Sequence, residues 1–420
     1  MRVLVISHNV FCNSTSMGKT LSGYFKDFKS DELAQFYIHS EIPTSNVCNN
    51  YYRITDKEII KSVFTRKSGK IFEKPDIILD SINVRTDKGI TAKLYQKARR
   101  RAPLIYILRN MWWSLGAWNT KKLNQWIDSF NPDCVFFASG DYAFMYKIAR
   151  KIAKKKNLPL IVSCMDDYYF NNRNEGRVLG KLTHSFFMKQ VRKTMNYASA
   201  ILTICDKMAE DYQKLFSKPC HVIHTTTSIK EPLEFTKKKK ISYIGNIGLL
   251  RDKQLLDIAS VLQKLEFEGC PKYIDVYSPE SRPEILCNLT EENGIRFHGK
   301  VSAEEVLQIM GESLAVIHTE SFDPTMRNRV RYSVSTKIAD SLASGTPILA
   351  YGPSEVASIS YLRENNAAFC ASELSELKNS MTELVLSEVK RKEITKNAIE
   401  LAKANHMIND VQNIVNKILK

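Results

Sequence analysis

The segment that decides the fold runs from Tyr332 to Ala350 and reads YSVSTKIADSLASGTPILA. Ser335-Thr336 supplies good N-caps for a helix that ends near Ala343, and the free N–H groups and dipole at the start of such a helix can bind a diphosphate. Asp340 lies one turn into the helix, where its carboxylate can accept hydrogen bonds from a ribose diol. Gly345-Thr346-Pro347 ends the helix and starts a buried strand. An ordinary helix, turn and strand with a solvated aspartate fits the same local pattern.

The same order of elements recurs along most of the chain, where short β-branched runs are followed by a turn and then by a helix-length amphipathic segment. In the first half the predicted strands are Val3–Ile6, Cys134–Phe137, Pro159–Ser163 and Ala200–Ile204, and the predicted helices include Met17–Phe28, Tyr142–Lys155 and Asp206–Phe216. In the second half the predicted strands are Ile241–Ile244, Tyr273–Tyr277, Ile295–His298, Leu314–His318 and Pro347–Ala350, with helices near Asp252–Leu265, Ala303–Gly311, Thr336–Ala343 and Glu373–Leu386. This alternation predicts two doubly wound α/β domains with parallel sheets.

A charged segment separates the two halves. Residues 228–240 contain Pro232 and the four consecutive lysines Lys237–Lys240, a composition typical of a linker. We therefore predict a first domain over 1–228, a second domain over 229–400, and a C-terminal helix over 401–420 that packs back on the first domain. The helical tail is predicted to begin near Glu388.

The composition excludes fibrous and disordered classes and places the charge unevenly. Of the 420 residues, 44% are apolar and 25% are charged, with only 16 Gly and 13 Pro. Residues 1–228 hold 36 basic and 19 acidic side chains, whereas residues 229–420 hold 25 and 26. The first half is therefore expected to meet an anionic partner.

Cysteine and hydropathy patterns indicate a cytoplasmic protein. The nine cysteines are scattered, odd in number and without a Cys-x-x-Cys pair, which favours reduced, packed thiols over disulfides or a zinc site. No uninterrupted run of about 18 apolar residues exists, so no transmembrane span is expected. The apolar start, Val3–Ile6, is too short for a signal peptide.

The segment Tyr332–Ala350 resembles a Ser-Thr-Lys to Gly-x-Pro segment of GT-B glycosyltransferases, especially the retaining enzymes of glycosyltransferase family 4. Tyr243–Gly248 is similar to the Gly-rich turn after the first strand of that family's nucleotide-binding domain, and Gly294–Val306 to a strand and acidic helix whose loop faces the nucleotide base. In the first half, Asn131–Phe137 and Ala198–Cys205 resemble the family's recurrent strands. The resemblance implies a GT-B fold of two Rossmann-like domains facing across a cleft, with a C-terminal helical tail.

The resemblance also implies what each domain binds. The basic first domain would hold the acceptor and the second domain the nucleotide diphosphate sugar. Transfer would proceed with retention and without a metal or other cofactor, because the leaving diphosphate helps to deprotonate the acceptor. The residues expected to bind the nucleotide sugar in the second domain are Gly245, Asn246, Val301, Ser335, Thr336, Lys337 and Asp340.

Two departures from the family pattern affect the expected charges. Where the family often carries Glu-x7-Glu, this chain has Tyr332 and Asp340. Where it often carries Arg-x4-Lys after the Gly-rich turn, this chain has Asn246 and Arg251. Arg251 is therefore expected to stabilise the leaving diphosphate. A second cation is expected from Lys337 or from the group Arg327, Arg329 and Arg331, for which a solvated loop is the alternative.

Two carboxylates of the first domain are candidate catalytic residues. Asp141 and Asp166 each follow a predicted strand, where they could orient an acceptor hydroxyl or accept its proton, and helix capping is the open alternative. His8 follows the first strand and is a further candidate for lining the cleft. Neither an Asp-x-Asp spacing nor a cluster of His, Cys and carboxylates occurs, so no metal is expected.

The loop after the first predicted strand contains part of a motif that belongs to another class of function, that of P-loop nucleotide hydrolases and kinases. Asn13–Thr20 ends in Gly18-Lys19-Thr20, as a phosphate-binding P-loop does, but Asn13 stands where that motif needs glycine. Gly18 is still a candidate for binding an anion at a helix start. A P-loop-like nucleotide hydrolase or kinase therefore stays an alternative, as does a non-catalytic protein that binds nucleotide sugars.

All four tryptophans, Trp112, Trp113, Trp118 and Trp126, lie close behind Arg99–Arg101. Aromatic and basic residues together suit the surface of an anionic membrane, with core packing as the alternative and nucleic acid disfavoured. The sequence thus predicts a cytoplasmic, hexosyltransferase-like enzyme peripheral at the inner face of the cell membrane. Its expected acceptor is a lipid-linked glycan in the synthesis of a surface or capsular polysaccharide.

Overall fold

The computed structural model describes residues 1–12, 16–73, 103–170, 178–229, 240–267, 269–407, 413 and 416–418. The chain forms two compact units. Unit 1 contains Met1–Ile223 and Gln412–Lys420, and unit 2 contains His224–Val411. The change of unit falls shortly before the predicted boundary at 228, and most of the predicted linker, 230–239, lies outside the described residues.

Unit 1 is built on one large sheet. Its described strands are β1 (Val3–Ser7), β2 (Leu33–Tyr37), β3 (Asn50–Arg53), β4 (Lys70–Glu73), β5 (Cys134–Ala138), β6 (Leu160–Ser163), β7 (Ala200–Thr203) and β8 (Cys220–Val222). Its described helices are α1 (Ser16–Tyr24), α2 (Asp56–Thr65), α3 (Pro103–Leu115), α4 (Lys121–Phe130), α5 (Ala143–Lys156), α6 (Val178–Tyr197) and α7 (Asp206–Phe216). The strand order is β4-β3-β2-β1-β5-β6-β7-β8, and all neighbours are parallel except β3 and β4.

Unit 2 contains a second sheet of described strands. They are β9 (Lys240–Ile244), β10 (Ile274–Tyr277), β11 (Ile295–Gly299), β12 (Ser313–Thr319), β13 (Ile348–Tyr351) and β14 (Phe369–Ala371). Its described helices are α8 (Arg251–Gln263), α9 (Pro283–Leu286), α10 (Ala303–Glu312), α11 (Pro324–Val330), α12 (Thr336–Leu342), α13 (Ala357–Glu364), α14 (Leu374–Leu386) and α15 (Glu388–Asn405). The order is β11-β10-β9-β12-β13-β14, and every neighbouring pair is parallel.

The strands form because their apolar residues are buried on both faces of each sheet. All five residues of β1 and of β5 are buried, which is typical of parallel strands covered by helices on both sides. In unit 2, Leu255 of α8 and Leu377 of α14 pack in one core cluster, and Ile338 of α12 and Leu401 of α15 pack in another. The prediction of two doubly wound α/β domains with a helical tail is confirmed.

Each sheet has a switch point, where the order of the strands reverses along the chain. In unit 1 it lies between β1 and β5, and in unit 2 between β9 and β12. Ligands of open α/β sheets bind outside the carboxyl ends of the strands at such a point. The residues that follow β9 and end β12 are therefore the first place to look for a site in unit 2.

The tryptophans of unit 1 lie mostly in its core. Trp113, Trp118 and Trp126 are buried, and the Trp113 ring stacks on Phe144 with 4.5 Å between ring centroids. The Trp113 indole also donates to Asp56 Oδ1 at 2.7 Å, which satisfies its polar atom. The prediction that the tryptophan cluster forms a membrane-contact surface is therefore wrong for these three residues, because α3 and α4 bury them. Arg99–Arg101 lies outside the described residues.

Two further results concern disulfide bonds and membrane-spanning helices. The nine cysteines all lie in the described residues, and none of them forms a disulfide. Within the described ranges, no helix combines the length and the apolar character needed to cross a membrane.

Candidate functional site

A cavity of about 160 Å³ lies at the switch point of unit 2, and we call it the switch pocket. It is bordered by the turn after β9, the end of β12 and the start of α12. It is lined by the predicted binding residues Gly245, Asn246, Ser335 and Lys337 and by the predicted catalytic residue Arg251. Polar residues that line it without having been singled out as binding residues are Tyr243, His318 and Ser341.

Gly245 allows the Lys337 side chain to enter the switch pocket. A Cβ atom on Gly245 would lie 2.8 Å from Lys337 Nζ and 3.2 Å from the Tyr243 hydroxyl, so a larger residue would displace the ammonium group. Lys337 Nζ donates instead to the carbonyl oxygen of Ile244 at 3.0 Å. Ser335 Oγ accepts a hydrogen bond from Lys337 N and so caps α12 at the position predicted from the sequence.

Lys337 is an ammonium group without a carboxylate partner. Among the residues that the structure describes, no carboxylate lies within ion-pair distance of its Nζ. Burial, and then the Arg251 charge, lower the pKa of Lys337, while Asp340 acts in the opposite direction. A buried cation in this state is stabilised when an anion binds beside it.

Arg251 is already paired in the structure. Its guanidinium group donates to the Glu320 carboxylate through Nε at 3.1 Å and through Nη2 at 2.8 Å. The Glu320 side chain is 2% exposed and that of Arg251 is 18% exposed. Burial raises the pKa of Glu320, and the Arg251 charge opposes that rise. The positive charge of Arg251 is therefore largely balanced before any ligand binds, so its expected role at a diphosphate stays a prediction.

Asn246 fixes the shape of the turn after β9. Its carbonyl oxygen accepts from the Tyr243 hydroxyl at 2.7 Å, and its Oδ1 accepts from Gly248 N at 2.7 Å. The turn therefore depends on backbone and side-chain atoms of the same residue. This explains why a Gly-rich sequence follows the strand.

Three predicted residues of unit 2 do not line the switch pocket. Asp340 Oδ1 accepts a hydrogen bond from Thr227 Oγ1 at 2.9 Å, Thr336 is exposed, and Val301 is partly buried against the core cluster of α12. The α12 helix is only seven residues long. In the upstream arginine group, Arg327 Nη1 pairs with Glu355 at 2.9 Å. Lys337 is thus the better placed second cation.

The candidate residues predicted in unit 1 are Asp166, Asp141 and Gly18, and each follows or lies in a described element. Asp166 Oδ1 accepts from Asp167 N at 2.9 Å, and Asp167 Oδ1 accepts from the N–H groups of Tyr169 and Phe170. These contacts shape the turn after β6, where no described helix begins, so the alternative of helix capping stays untested for Asp166. Asp141 comes three residues after β5 ends, and Gly18 lies in the first turn of α1. Asn13–Thr15, the start of the P-loop-like segment, lies outside the described residues.

The structures that this fold resembles cover the whole chain. The Anabaena protein Alr3699/HepE, solved in complex with UDP, matches with a TM-score of 0.62 and 12% identity over 100% of this chain and 99% of its own. The Escherichia coli structure titled trehalose-6-phosphate, bound with UDP-2-fluoro glucose, matches with a TM-score of 0.61 and 10% identity over 100% and 99%. Sucrose-phosphate synthase from Thermosynechococcus elongatus matches with a TM-score of 0.60 and 10% identity over 100% and 98%. Likeness at such low identity shows the fold alone.

Sequence profiles identify the family. The profile of Glycosyltransferase Family 4 matches residues 64–230, and a profile described as glycosyl transferase-like matches residues 272–416. Together the two glycosyltransferase profiles match most of the chain, and its fold is that of the GT-B glycosyltransferases. The predicted resemblance to this class of enzyme is thereby confirmed. The glycosyl transferase-like profile includes the segment Tyr332–Ala350, and Tyr243–Gly248 lies at the end of β9 and in the turn after it. A search among curated proteins finds no match to this glycosyltransferase.

Sequence reasoning missed His318, which lines this glycosyltransferase's switch pocket, and Glu320, which pairs with the pocket residue Arg251. His318 and Glu320 stand at the end of β12 and directly after it, and neither was proposed for the site. The signal was present, because β12 was predicted and polar residues follow its apolar run. Applying the carboxyl-end rule to this strand would have found both residues. No group of three or more His, Cys, Asp or Glu side chains in the described part of the chain could hold a metal ion.

Proposed function

We propose that this glycosyltransferase moves a sugar from a nucleotide diphosphate sugar, bound in the switch pocket, to a lipid-linked glycan in the synthesis of a surface or capsular polysaccharide. The observation that supports donor binding is the Lys337 ammonium group, which is largely buried and has no carboxylate partner among the described residues. A diphosphate supplies the missing negative charge. Structures of the same fold include one bound to UDP and one bound to UDP-2-fluoro glucose, so UDP-glucose is the first donor to test.

The proposed chemistry uses the cations of the switch pocket. Negative charge on the diphosphate grows as the bond to the sugar breaks, and Lys337 would stabilise that charge more strongly in the transition state than in the ground state. The sugar keeps its anomeric configuration in this proposal, because the leaving diphosphate deprotonates the acceptor on the same face. No metal takes part. Asp141 and Asp166 remain candidates for orienting the acceptor hydroxyl.

A surface of unit 1 supports a membrane-bound acceptor. Exposed apolar side chains form one stripe on α3 and one on α6, at positions Leu104, Leu108, Met111, Leu115, Val178, Leu179, Leu182 and Phe186, and we call them the α3–α6 surface. The two helices pack against each other. Exposed Lys181, Lys189 and Lys193 lie on α6. Apolar stripes beside lysines suit an anionic lipid surface, and the charge excess of residues 1–228 has the same sign.

Calorimetry with UDP-glucose tests the donor site. Lys337→Met should weaken binding about tenfold or more, the usual effect of losing one charged hydrogen bond. Lys378→Met, at an exposed position of α14, is the matched control and should bind like the wild type. The proposal fails if the wild type binds none of UDP-glucose, GDP-mannose, ADP-glucose and dTDP-glucose, or if Lys337→Met binds UDP-glucose unchanged.

Product and vesicle measurements test the acceptor half. Transfer to a lipid-linked glycan should continue in EDTA and keep the donor's anomeric configuration by NMR; a metal requirement or an inverted product contradicts the proposal. Vesicles with anionic lipid should bind the wild type at low salt and release Leu108→Ser/Leu182→Ser, both changed on the α3–α6 surface. Val389→Ser, at a still more exposed apolar position of unit 2, is the control and should stay bound. Equal vesicle binding by the wild type, the double variant and Val389→Ser would contradict the proposal that the α3–α6 surface contacts a membrane.

A further inference from the structure

His318 is a partly buried imidazole that the proposed chemistry has not used. It is the second-last residue of β12 and lines the switch pocket. Its Nε2 atom is shielded from solvent and has no hydrogen-bond partner among the described residues. Leaving a buried polar atom unsatisfied costs about 1–3 kcal/mol, so the atom needs an explanation. A bound ligand in the pocket would supply the partner.

The position of His318 follows from the register of the sheet. Parallel pairing places His318 beside Ala350 of β13, while the preceding residue, Ile317, pairs with Tyr243 of β9. Side chains alternate along a strand, so His318 lies on the same face as Val316, which packs in the core cluster of α12. The ring is therefore held at the floor of the pocket by a central strand. It is not a loop side chain that can turn away.

The charges around His318 explain its resting state. The titratable and charged groups on the elements that border it are Arg251 of α8, Lys337 and Asp340 of α12, Tyr243 of β9, and Glu320 after β12 itself. Burial, then the Arg251 and Lys337 charges, lower the pKa of His318 to about 3. At neutral pH the free protein therefore keeps this ring uncharged between two cations.

We propose that His318 binds the phosphates of the donor through Nε2 and takes up a proton from solvent when they bind. This inference rests on the proposed function, because it needs the diphosphate in the switch pocket. A diphosphate brings negative charge next to the ring and offsets the two cations that oppose its protonation. The protonated ring donates from Nε2, and the unsatisfied atom gains its partner. Binding of the donor and uptake of the proton are then linked, so donor affinity rises as pH falls.

Calorimetry with UDP-glucose in two buffers of different ionisation enthalpy measures the proton uptake directly. UDP-glucose is the right probe, because its phosphates lack the terminal ionisation near pH 6 that UDP itself carries. Between pH 8 and pH 6 the wild type should take up an increasing fraction of one proton, and its affinity should rise as the pH falls. His318→Gln keeps a hydrogen-bonding group but cannot take up the proton. It should show no uptake, no pH dependence and about tenfold weaker binding at pH 6.

A second partly buried histidine of unit 2 provides the matched control. The His224 ring stacks on Tyr361 and lies beside the His406 ring, away from the switch pocket, and burial, then the neighbouring His406, lower its pKa to about 4. His224→Gln should therefore bind UDP-glucose with the wild-type proton uptake. Thermal unfolding of each variant should be cooperative, which would check that the variant is folded.

The possible results separate this inference from the function on which it rests. If the wild type binds no nucleotide sugar, both fail. If UDP-glucose binds but the wild type takes up no proton between pH 8 and pH 6, or if His318→Gln retains the uptake, the donor site stands and the role of His318 is overturned. In the latter case the proton goes to a group other than His318.

Discussion

Each sheet carries a histidine with a shielded ring nitrogen at its switch point, and the two rings have different surroundings. His8 follows β1 in unit 1, and His318 lies in β12 of unit 2. The Nε2 atoms of both rings are shielded from solvent and lack hydrogen-bond partners within the described residues. Burial and nearby positive or titratable groups lower the pKa of each. By these measures alone the two positions look equivalent.

Space and partners distinguish the two histidines. A Cβ atom on Gly140 would lie 2.5 Å from His8 Cε1, and the Tyr142 ring centroid is 4.9 Å from that of His8, so protein atoms pack closely around the ring. His318 instead borders a cavity that also contains an unpaired ammonium group, that of Lys337. A position at the carboxyl end of a strand is thus not enough to indicate a ligand. An open cavity and an unbalanced charge beside it are the features that do.

The largest expected effect tests whether Arg251, which lines the switch pocket of unit 2, also stabilises the folded protein. Arg251→Ala leaves the Glu320 carboxylate buried without its partner, which should lower the free energy of unfolding by about 3–5 kcal/mol. Urea unfolding measures this loss. Arg251→Ala/Glu320→Gln removes both charges and should recover much of it. Wild-type stability in the single variant would mean that Arg251 serves the ligand alone.

A pair of glycine substitutions tests the difference between the two switch points. Gly140→Ala in unit 1 pushes a Cβ atom against the packed His8 ring and should cost about 1–3 kcal/mol of stability, measured by urea unfolding. Gly245→Ala in unit 2 meets the flexible end of Lys337, which can move. It should change stability less and weaken UDP-glucose binding. The comparison breaks if Gly140→Ala is as stable as the wild type.

The sequence predicted the sheets well because parallel strands buried on both faces read as apolar runs. Predicted strands such as Cys134–Phe137 and Ile241–Ile244 recur as β5 and β9, with ends shifted by about a residue. The strands β2 to β4 were not predicted. β3 reads Asn-Tyr-Tyr-Arg and β4 Lys-Ile-Phe-Glu, and such short, mixed strands are recognised only through the neighbours with which they pair.

The candidate site was predicted in part for a similar reason. Gly245 and Lys337 were found because they follow or precede recognisable elements in a segment that resembles a family pattern. The pairing of Arg251 with Glu320 was not found, because these residues are 69 positions apart in sequence and meet only through the parallel packing of β9 and β12. The burial of Trp113 was missed because the basic residues around it gave no sign of which face α3 turns to the sheet.

The pH dependence of stability sharpens the comparison at His8. The pKa of His8 in the folded protein lies well below its ordinary value of 6.5, chiefly because of burial and then because of His39 and Arg109. Its contribution to stability is therefore present above pH 6.5 and is lost as the pH falls below that value. Between pH 6.5 and 5.5 the loss should reach at most about 1.4 kcal/mol. His8→Gln should show a correspondingly smaller fall in urea unfolding, whereas His221→Gln, at an exposed position, should fall like the wild type.

The smallest expected effect asks whether Asp340 belongs with the packed groups or with the ligand-binding ones. Its Oδ1 atom accepts a hydrogen bond from Thr227 Oγ1, and removing that donor in Thr227→Val should cost about 1 kcal/mol of stability. If Asp340 also binds the donor's ribose, Asp340→Ala should weaken UDP-glucose binding in calorimetry, while Thr227→Val should leave it nearly unchanged. The 2′-deoxy analogue of UDP-glucose provides the check, because a ribose hydroxyl that Asp340 binds is then missing from the ligand. Asp340→Ala should discriminate between the two ligands less than the wild type does. If the wild type and Asp340→Ala discriminate equally between UDP-glucose and its 2′-deoxy analogue, and if Asp340→Ala and Thr227→Val lose equal stability, then Asp340 belongs with the packed groups. The ligand-binding part of unit 2 would then be limited to the switch pocket.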